Sequence, residues 1–198
     1  MKSKAWILCV LVCSLLFGGC ASKKYVGPSS GRGAENQMLI SRAVDQAFKK
    51  TDFTKFADKK IYLQVCGLAA KAAAQSPEES FISNHLLEKL SRAGARVVPR
   101  MEDADLHLTV ALRIAGVDIV ARDFYYTYHH TSIRGVVEAH MVGYDARTGK
   151  IVYTEDALGV ILYRERYWFY IFGPYRKIWT LSKEEWKDEI GDYTVTEE

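Results

Sequence analysis

Five histidines invite a metal-ligand reading, above all the adjacent His129 and His130 with His107 and His140 on strand-like segments. The spacing does not support it. After residue 20 there is no H-x-x-x-H, H-E-x-x-H or C-x-x-C pattern, and adjacent side chains on an extended segment point to opposite faces. These histidines read as polar strand and loop positions, and no metal site is expected. Asp103 and Asp105 are spaced like an acid–base pair, yet they stand just before a strand, where carboxylates commonly make turns. Gly27-Pro28-Ser29-Ser30-Gly31 matches G-x-S-x-G, but a nucleophile elbow needs a strand before it and a helix after it. Neither pattern flanks Ser29, which reads as linker. No phosphate loop or dinucleotide fingerprint occurs, so neither an enzyme nor a cofactor is expected.

The cysteine with a chemical assignment is Cys20. Lys2 and Lys4 precede an apolar run from Ala5 to Phe17, followed by Gly18-Gly19-Cys20, the layout of an export signal with a small-residue cleavage site. The run of 13 residues is short of the roughly 20 that a permanent transmembrane helix requires. Leu16-Phe17-Gly18-Gly19-Cys20 resembles the lipobox of bacterial lipoproteins, although Phe17 stands where Leu is usual. The resemblance implies that Cys20 is acylated and becomes the first residue. Ala21, in place of an Asp, implies the outer membrane. Several acyl chains, at about 0.8 kcal/mol per buried methylene, would hold the protein there stably. Cys9 and Cys13 would leave with the signal. Cys66, ending an apolar strand, then reads as a small buried hydrophobe with no disulfide partner.

The rest of the composition fits one globular domain. The chain has 198 residues, 48% apolar and 26% charged, with 12% aromatic residues to build a core. Removing Lys2 and Lys4 leaves 25 basic residues against 24 acidic ones, so no nucleic-acid partner is expected. The expected organisation is a signal peptide over 1–19, acylated Cys20 with a flexible tether over 20–34, and one periplasmic domain over 35–198. From Ala21 to Ala34 the sequence is rich in Gly, Ser, Pro and Lys with no hydrophobic period, which reads as a flexible tether reaching ~45 Å at ~3.3 Å per residue.

Between Asn36 and Phe56 the apolar residues Leu39, Ile40, Ala43, Val44, Ala47 and Phe48 share one helical face, with mixed charge opposite. That predicts a helix packed on the domain's own sheet. Ile61 to Val65 reads as a strand. Ser76-Pro77-Glu78-Glu79 combines a hydroxyl cap, Pro in the first turn and Glu three residues after the cap, and predicts a helix that Gly94 ends. Val97-Val98 then continues a strand–helix–strand unit. Leu106, Leu108, Val110, Leu112 and Ile114 alternate with polar or small residues, the pattern of a strand with one buried face. Strands over about Ile133–Tyr144 and Ile151–Val160, joined by a turn at Asp145 to Lys150, complete an antiparallel meander. Glu138 and His140 fall on one face of it, and Val137, Ala139 and Met141 on the other. Ser182 to Glu185 is a second capping box, leading to a short helix that Trp186 docks on the domain. The expected fold class is α+β, a mixed, mainly antiparallel sheet packed by about two helices.

Two aromatic clusters stand out, Phe124-Tyr125-Tyr126-Thr127-Tyr128 and the stretch from Tyr163 to Trp179, the second interleaved with Arg164, Arg166, Arg176 and Lys177. Aromatic rings with Arg are enriched at protein interfaces and at membrane headgroups. Tyr125, Tyr126, Tyr128, Tyr167, Trp168, Tyr170 and Trp179 are therefore the candidate partner or ligand surface. Equally, the rings could complete the sheet's core, with Gly173-Pro174 making a turn.

Lys59-Lys60-Ile61-Tyr62-Leu63, Ala93 to Val98, Asp103-Ala104-Asp105-Leu106 and Gly143 to Lys150 resemble phrases of uncharacterised bacterial outer-membrane lipoproteins. The element order from Asn36 to Val160 is similar to periplasmic domains of the curli secretion channel lipoprotein, the penicillin-binding-protein activator lipoproteins and the Tol-Pal translocation protein. These phrases mark turns and strand starts, so the resemblance implies a fold and no catalytic residue. No counterpart of a channel's membrane-inserting hairpins is evident. The expected function is a lipid-anchored, non-enzymatic binding or assembly module at the outer membrane, facing the periplasm, with an envelope protein or a second copy as partner. The alternatives are a carrier of lipid or another hydrophobic ligand and, remotely, an envelope hydrolase.

Overall fold

The computed structural model describes residues 22–26, 33–67, 76–124, 128–169 and 171–186. In chain order the elements are β1 Ser22–Val26, α1 Ala34–Ala47, β2 Lys60–Gly67, α2 Pro77–Arg92, β3 Arg96–Val97, β4 Leu106–Phe124, β5 Tyr128–Asp145, β6 Ile151–Trp168 and β7 Phe172–Leu181. They form one sheet in the order β3-β2-β4-β5-β6-β7, with β1 beside the far half of β4. β2 runs parallel to β3 and β4, and every other pairing is antiparallel. The architecture is the α+β class expected. Among the described residues no helix is long and apolar enough to cross a membrane. Cys20, the signal segment and Ser29 lie outside the described residues.

Both helices lie on one face. α1 buries Leu39, Ala43 and Val44 against β5 and β6, and α2 buries Ile82, Leu86 and Leu90 over β2 and β3. The predicted capping box forms: Glu79 N–H donates to Ser76 Oγ at 3.1 Å, and Ser76 N–H donates to Glu79 Oε2 at 2.9 Å. Gly94 adopts φ 89° and closes the helix, as a left-handed stop requires. The apolar face expected over Asn36–Phe56 is divided: α1 ends at Ala47, and a separate 3-10 turn, Phe53–Phe56, follows. Asp52 caps the second piece, its Oδ1 accepting from Thr54 N–H at 3.1 Å at the start of the 3-10 turn.

β4 departs from simple alternation. Leu106, Leu108, Val110 and Leu112 point into the core, but a bulge between Leu112 and Ile114 resets the register, so Val117 is buried instead and Ile114 is 41% exposed. The expectation of a buried Ile114 is therefore overturned. The extra residue, Arg113, places Nη1 3.2 Å from Glu138 Oε1 and 3.8 Å from Asp156 Oδ1. Past the bulge, β4, β5 and β6 all continue beyond the ends read from sequence. Within the segment read as tether, Ser22–Val26 pairs with β4 from Ser22↔Asp123 to Val26↔Ile119.

The helix layer contains one pH-sensitive contact. His85 of α2 lies 6.5 Å from the Phe48 ring, with Nε2 3.5 Å from Asp45 Oδ1 of α1. Burial pushes its pKa below the ordinary 6.5, and Lys89 adds to this, while Asp45 and Glu88 pull the other way. The folded state thus favours the neutral ring. As pH falls below about 6.5 the unfolded chain takes up the proton first, so the stability present above that pH is progressively lost towards the lower, folded-state pKa. Urea midpoints should fall between about pH 7.5 and about pH 5, and His85→Leu should flatten that part of the dependence. An unchanged slope in the variant would assign the acid sensitivity to other groups.

Candidate functional site

The long hairpins bring the aromatic residues to one end of the sheet. In register, Phe124 pairs with Tyr128, Tyr128 with Trp168, and Trp168 with Phe172, a single row across the tips of β4 to β7. Because side chains alternate along a strand, the pairing assigns each ring to a face. Tyr128, Trp168 and Trp179 belong to the face away from the helices. Tyr167 belongs to the helix side, where its ring lies 5.9 Å from that of His129. Tyr128 and Trp168 meet at 4.9 Å between centroids, and Tyr128 stacks on His130 at 6.0 Å. Of the seven candidate residues, Tyr125, Tyr126 and Tyr170 lie outside the described residues.

Depth along the strands decides between core and surface. Tyr163 is buried in the main core, whereas Trp168 is 50% exposed, Phe169 56%, Ile171 78% and Phe172 59%. The aromatic residues therefore divide between the core and exposed positions. Behind the tip, Arg166 pairs with Tyr175, and Arg164 with Lys177. The guanidinium carbon of Arg164 lies 5.0 Å from the Trp179 ring centroid and Lys177 Nζ 5.5 Å, so two cations are within cation–π distance of Trp179. Phe169, Phe172 and Tyr175, members of the second aromatic stretch, complete the exposed apolar tip together with Ile171, an aliphatic residue that the aromatic pattern does not mark.

On the helix side, Glu165 organises the neighbouring strands. It accepts from Tyr167 Oη at 2.8 Å, from Tyr163 Oη at 3.3 Å and from Arg176 Nε at 3.1 Å. Burial alone would raise its pKa, but these donors outweigh it and hold the carboxyl below its usual range. Tyr167 is pushed up, chiefly by its hydrogen bond to Glu165, and so keeps its proton. The cluster is a positioning device that fixes β6 to β7.

The other sequence candidates are spread apart. His129 and His130 fall on opposite faces, where they contact Thr131 Oγ1 at 3.0 Å and Ser132 Oγ at 3.2 Å. His140 pairs with Asp156 Oδ1 at 2.7 Å, and His107 with the Met101 carbonyl at 3.0 Å. Among the described residues no three His, Cys, Asp or Glu side chains converge to hold a metal. Asp105 ties β4 to β2, accepting from Lys60 N–H at 3.1 Å. Cys66 is half-buried, more open than the buried position expected for it.

No family model matches the sequence, and no curated protein matches it either. Among solved structures the chain is similar to lipoprotein GNA1162 from Neisseria meningitidis, at 16% identity and a TM-score of 0.32, over 50% of this chain and 78% of that one. It is also similar to the LpoB C-terminal domain from Salmonella enterica, at 10% identity and 0.30, over 62% and 93%. A third is the PelC dodecamer from Paraburkholderia phytofirmans, at 12% and 0.31, over 78% and 86%. The solved structures similar to this chain thus include a bacterial lipoprotein, and identities of 10–16% with TM-scores of 0.30–0.32 transfer neither an activity nor a partner to it.

Proposed function

We propose that the chain is a non-enzymatic binding and assembly module of the cell envelope, anchored to the outer membrane by acylated Cys20 and facing the periplasm. One observation carries the reading: among the described residues β7 pairs only with β6, so a ten-residue strand stands at the sheet's edge with Tyr175 61% exposed and Ile178 38% exposed. An open edge is a template for adding a strand from another chain, with main-chain hydrogen bonds giving affinity and alternate side chains giving specificity. The partner is an envelope protein or a second copy of the chain. A hydrophobic-ligand carrier would need the aromatic rings turned into a cavity, and Trp168, Phe169 and Phe172 instead face outward.

The test is in-cell photocrosslinking with a photoreactive residue in place of Tyr175 or Ile178, followed by mass spectrometry. A discrete product is expected from both positions and not from Arg96 on the opposite edge strand. Self-links of fixed size mean a homo-oligomer, and links to one other protein mean an accessory subunit. In Cys20→Ser the products should disappear, because the anchor sets the position. Crosslinks from β7 no stronger than from Arg96 would refute the docking edge.

A further inference from the structure

β1 gives the aromatic end of the sheet an orientation. Ser22 pairs with Asp123, next to the last residue of β4, and the strand then runs away from that end to Val26↔Ile119. Cys20 precedes Ser22 by two residues, which span at most ~7 Å. The anchoring residue therefore joins the domain at the end where β4 to β7 carry the row Phe124, Tyr128, Trp168 and Phe172. The β6–β7 tip is about three strand spacings from β4, or ~14 Å.

The tip is layered as a bilayer interface is. Trp168, Phe169, Ile171 and Phe172 form its outermost, exposed part. Two residues back along β6 stands Arg166, ~7 Å from the Trp168 row, and four back stand Arg164 and its partner Lys177, ~13 Å away. Apolar side chains that bury about 5–10 Å into the boundary between headgroups and acyl chains leave cations of this spacing level with the phosphates. Trp168, whose indole carries an N–H, suits that depth, while Phe169, Ile171 and Phe172 supply apolar area.

We propose that the β6–β7 tip is a second, protein-made membrane contact: Trp168, Phe169, Ile171 and Phe172 sit in the interfacial layer of the bilayer that holds acylated Cys20, with Arg166 and Lys177 facing its phosphate headgroups. The inference rests on the anchored reading of the chain. It adds that the sheet stands on the membrane by this end, leaving the β7 edge from Tyr175 to Leu181 open sideways to partners. The occupant is a lipid surface, because the anchor itself brings this end to one and the cations match its phosphates.

The experiment uses the whole mature chain with Cys20→Ser, so that no acyl chain contributes, and vesicles of phosphatidylethanolamine and phosphatidylglycerol. Co-sedimentation should show binding, and brominated lipid should quench a tryptophan emission that is absent from Trp168→Phe. Replacing Trp168, Phe169 and Phe172 together by Ser should weaken vesicle binding about a hundredfold, each ring contributing several-fold when removed from water. The far-ultraviolet spectrum and unfolding midpoint should not change, since all three side chains are exposed. Absence of vesicle binding, or equal binding by the triple variant, overturns the proposal. So does loss of self-association in the triple variant while vesicle binding persists, which would make the tip a protein contact. Acylation of Cys20 is read separately from the mass of the membrane-extracted chain, so failure of the anchor and failure of the tip are distinguishable.

Discussion

Gly159→Ala is expected to destabilise the domain by about 3 kcal/mol or more, the upper range for forcing extra atoms into a filled core. A Cβ at Gly159 would lie 1.9 Å from the Ala43 carbonyl oxygen and 2.6 Å from the Ala47 amide nitrogen. Both are backbone atoms of α1, so no rotamer change relieves the clash and the helix must lift from β6. Gly135 on β5 meets the same helix, its Cβ falling 2.8 Å from the Leu39 carbonyl oxygen. Together the two glycines form a seat in which α1 touches the sheet backbone. Lifting the helix would expose Val44, Ala47 and Phe48, all buried in the main core. Gly116→Ala on β4 is the control, because nothing lies within 4 Å of the added Cβ. There, restricting the unfolded chain should leave stability unchanged or raise it by up to ~1 kcal/mol. Urea denaturation of the two variants reads the difference, and equal midpoints would mean that α1 is not seated on Gly159.

This seat was not legible in the sequence, whereas the face that α1 presents to it was. The spacing of Leu39, Ala43 and Val44 assigns a buried stripe from the helix period alone. A glycine within a strand, by contrast, looks the same whether it weakens pairing or admits a neighbouring backbone. The capping boxes at Ser76 and Ser182 were readable because hydroxyl, carboxylate and amide meet within one turn. The length of β4 was not, because the bulge after Leu112 exchanges the inward and outward sets midway and cancels the alternation on which a strand is recognised. The aromatic site followed the same division. Composition marked Trp168 and Trp179 as unusual, but only pairing across strands sets Trp168 beside Tyr128 and Trp179 among Arg164 and Lys177.

Trp186→Ala is expected to cost about 3 kcal/mol, the lower range for truncating a buried aromatic ring. The helices cover one face of the sheet, and on the other Val136 and Val160 are buried beneath Trp186, with Leu158 and Leu181 at the margin. The turn over residues 183–186 delivers the ring there, its start set by Ser182 and Glu185, whose backbone and side chains exchange hydrogen bonds of 2.7 and 3.2 Å. Arg134 adds a cation above the indole, 5.7 Å from its centroid. Removing the cap alone, in Ser182→Ala, should cost about 1 kcal/mol, because the ring still holds the turn by its own burial. Removing the ring releases the turn, so trypsin should cleave after Lys183 far faster in Trp186→Ala than in wild type or Ser182→Ala. Cleavage at the wild-type rate with an unchanged urea midpoint would show that the turn is not docked. The consequence reaches the binding edge, because Leu181, the last residue of β7, packs at the margin of this same cluster. Loss of the ring should loosen the end of the strand offered to a partner, so the Ile178 photocrosslink should weaken in Trp186→Ala even though Trp186 lies outside the proposed contact.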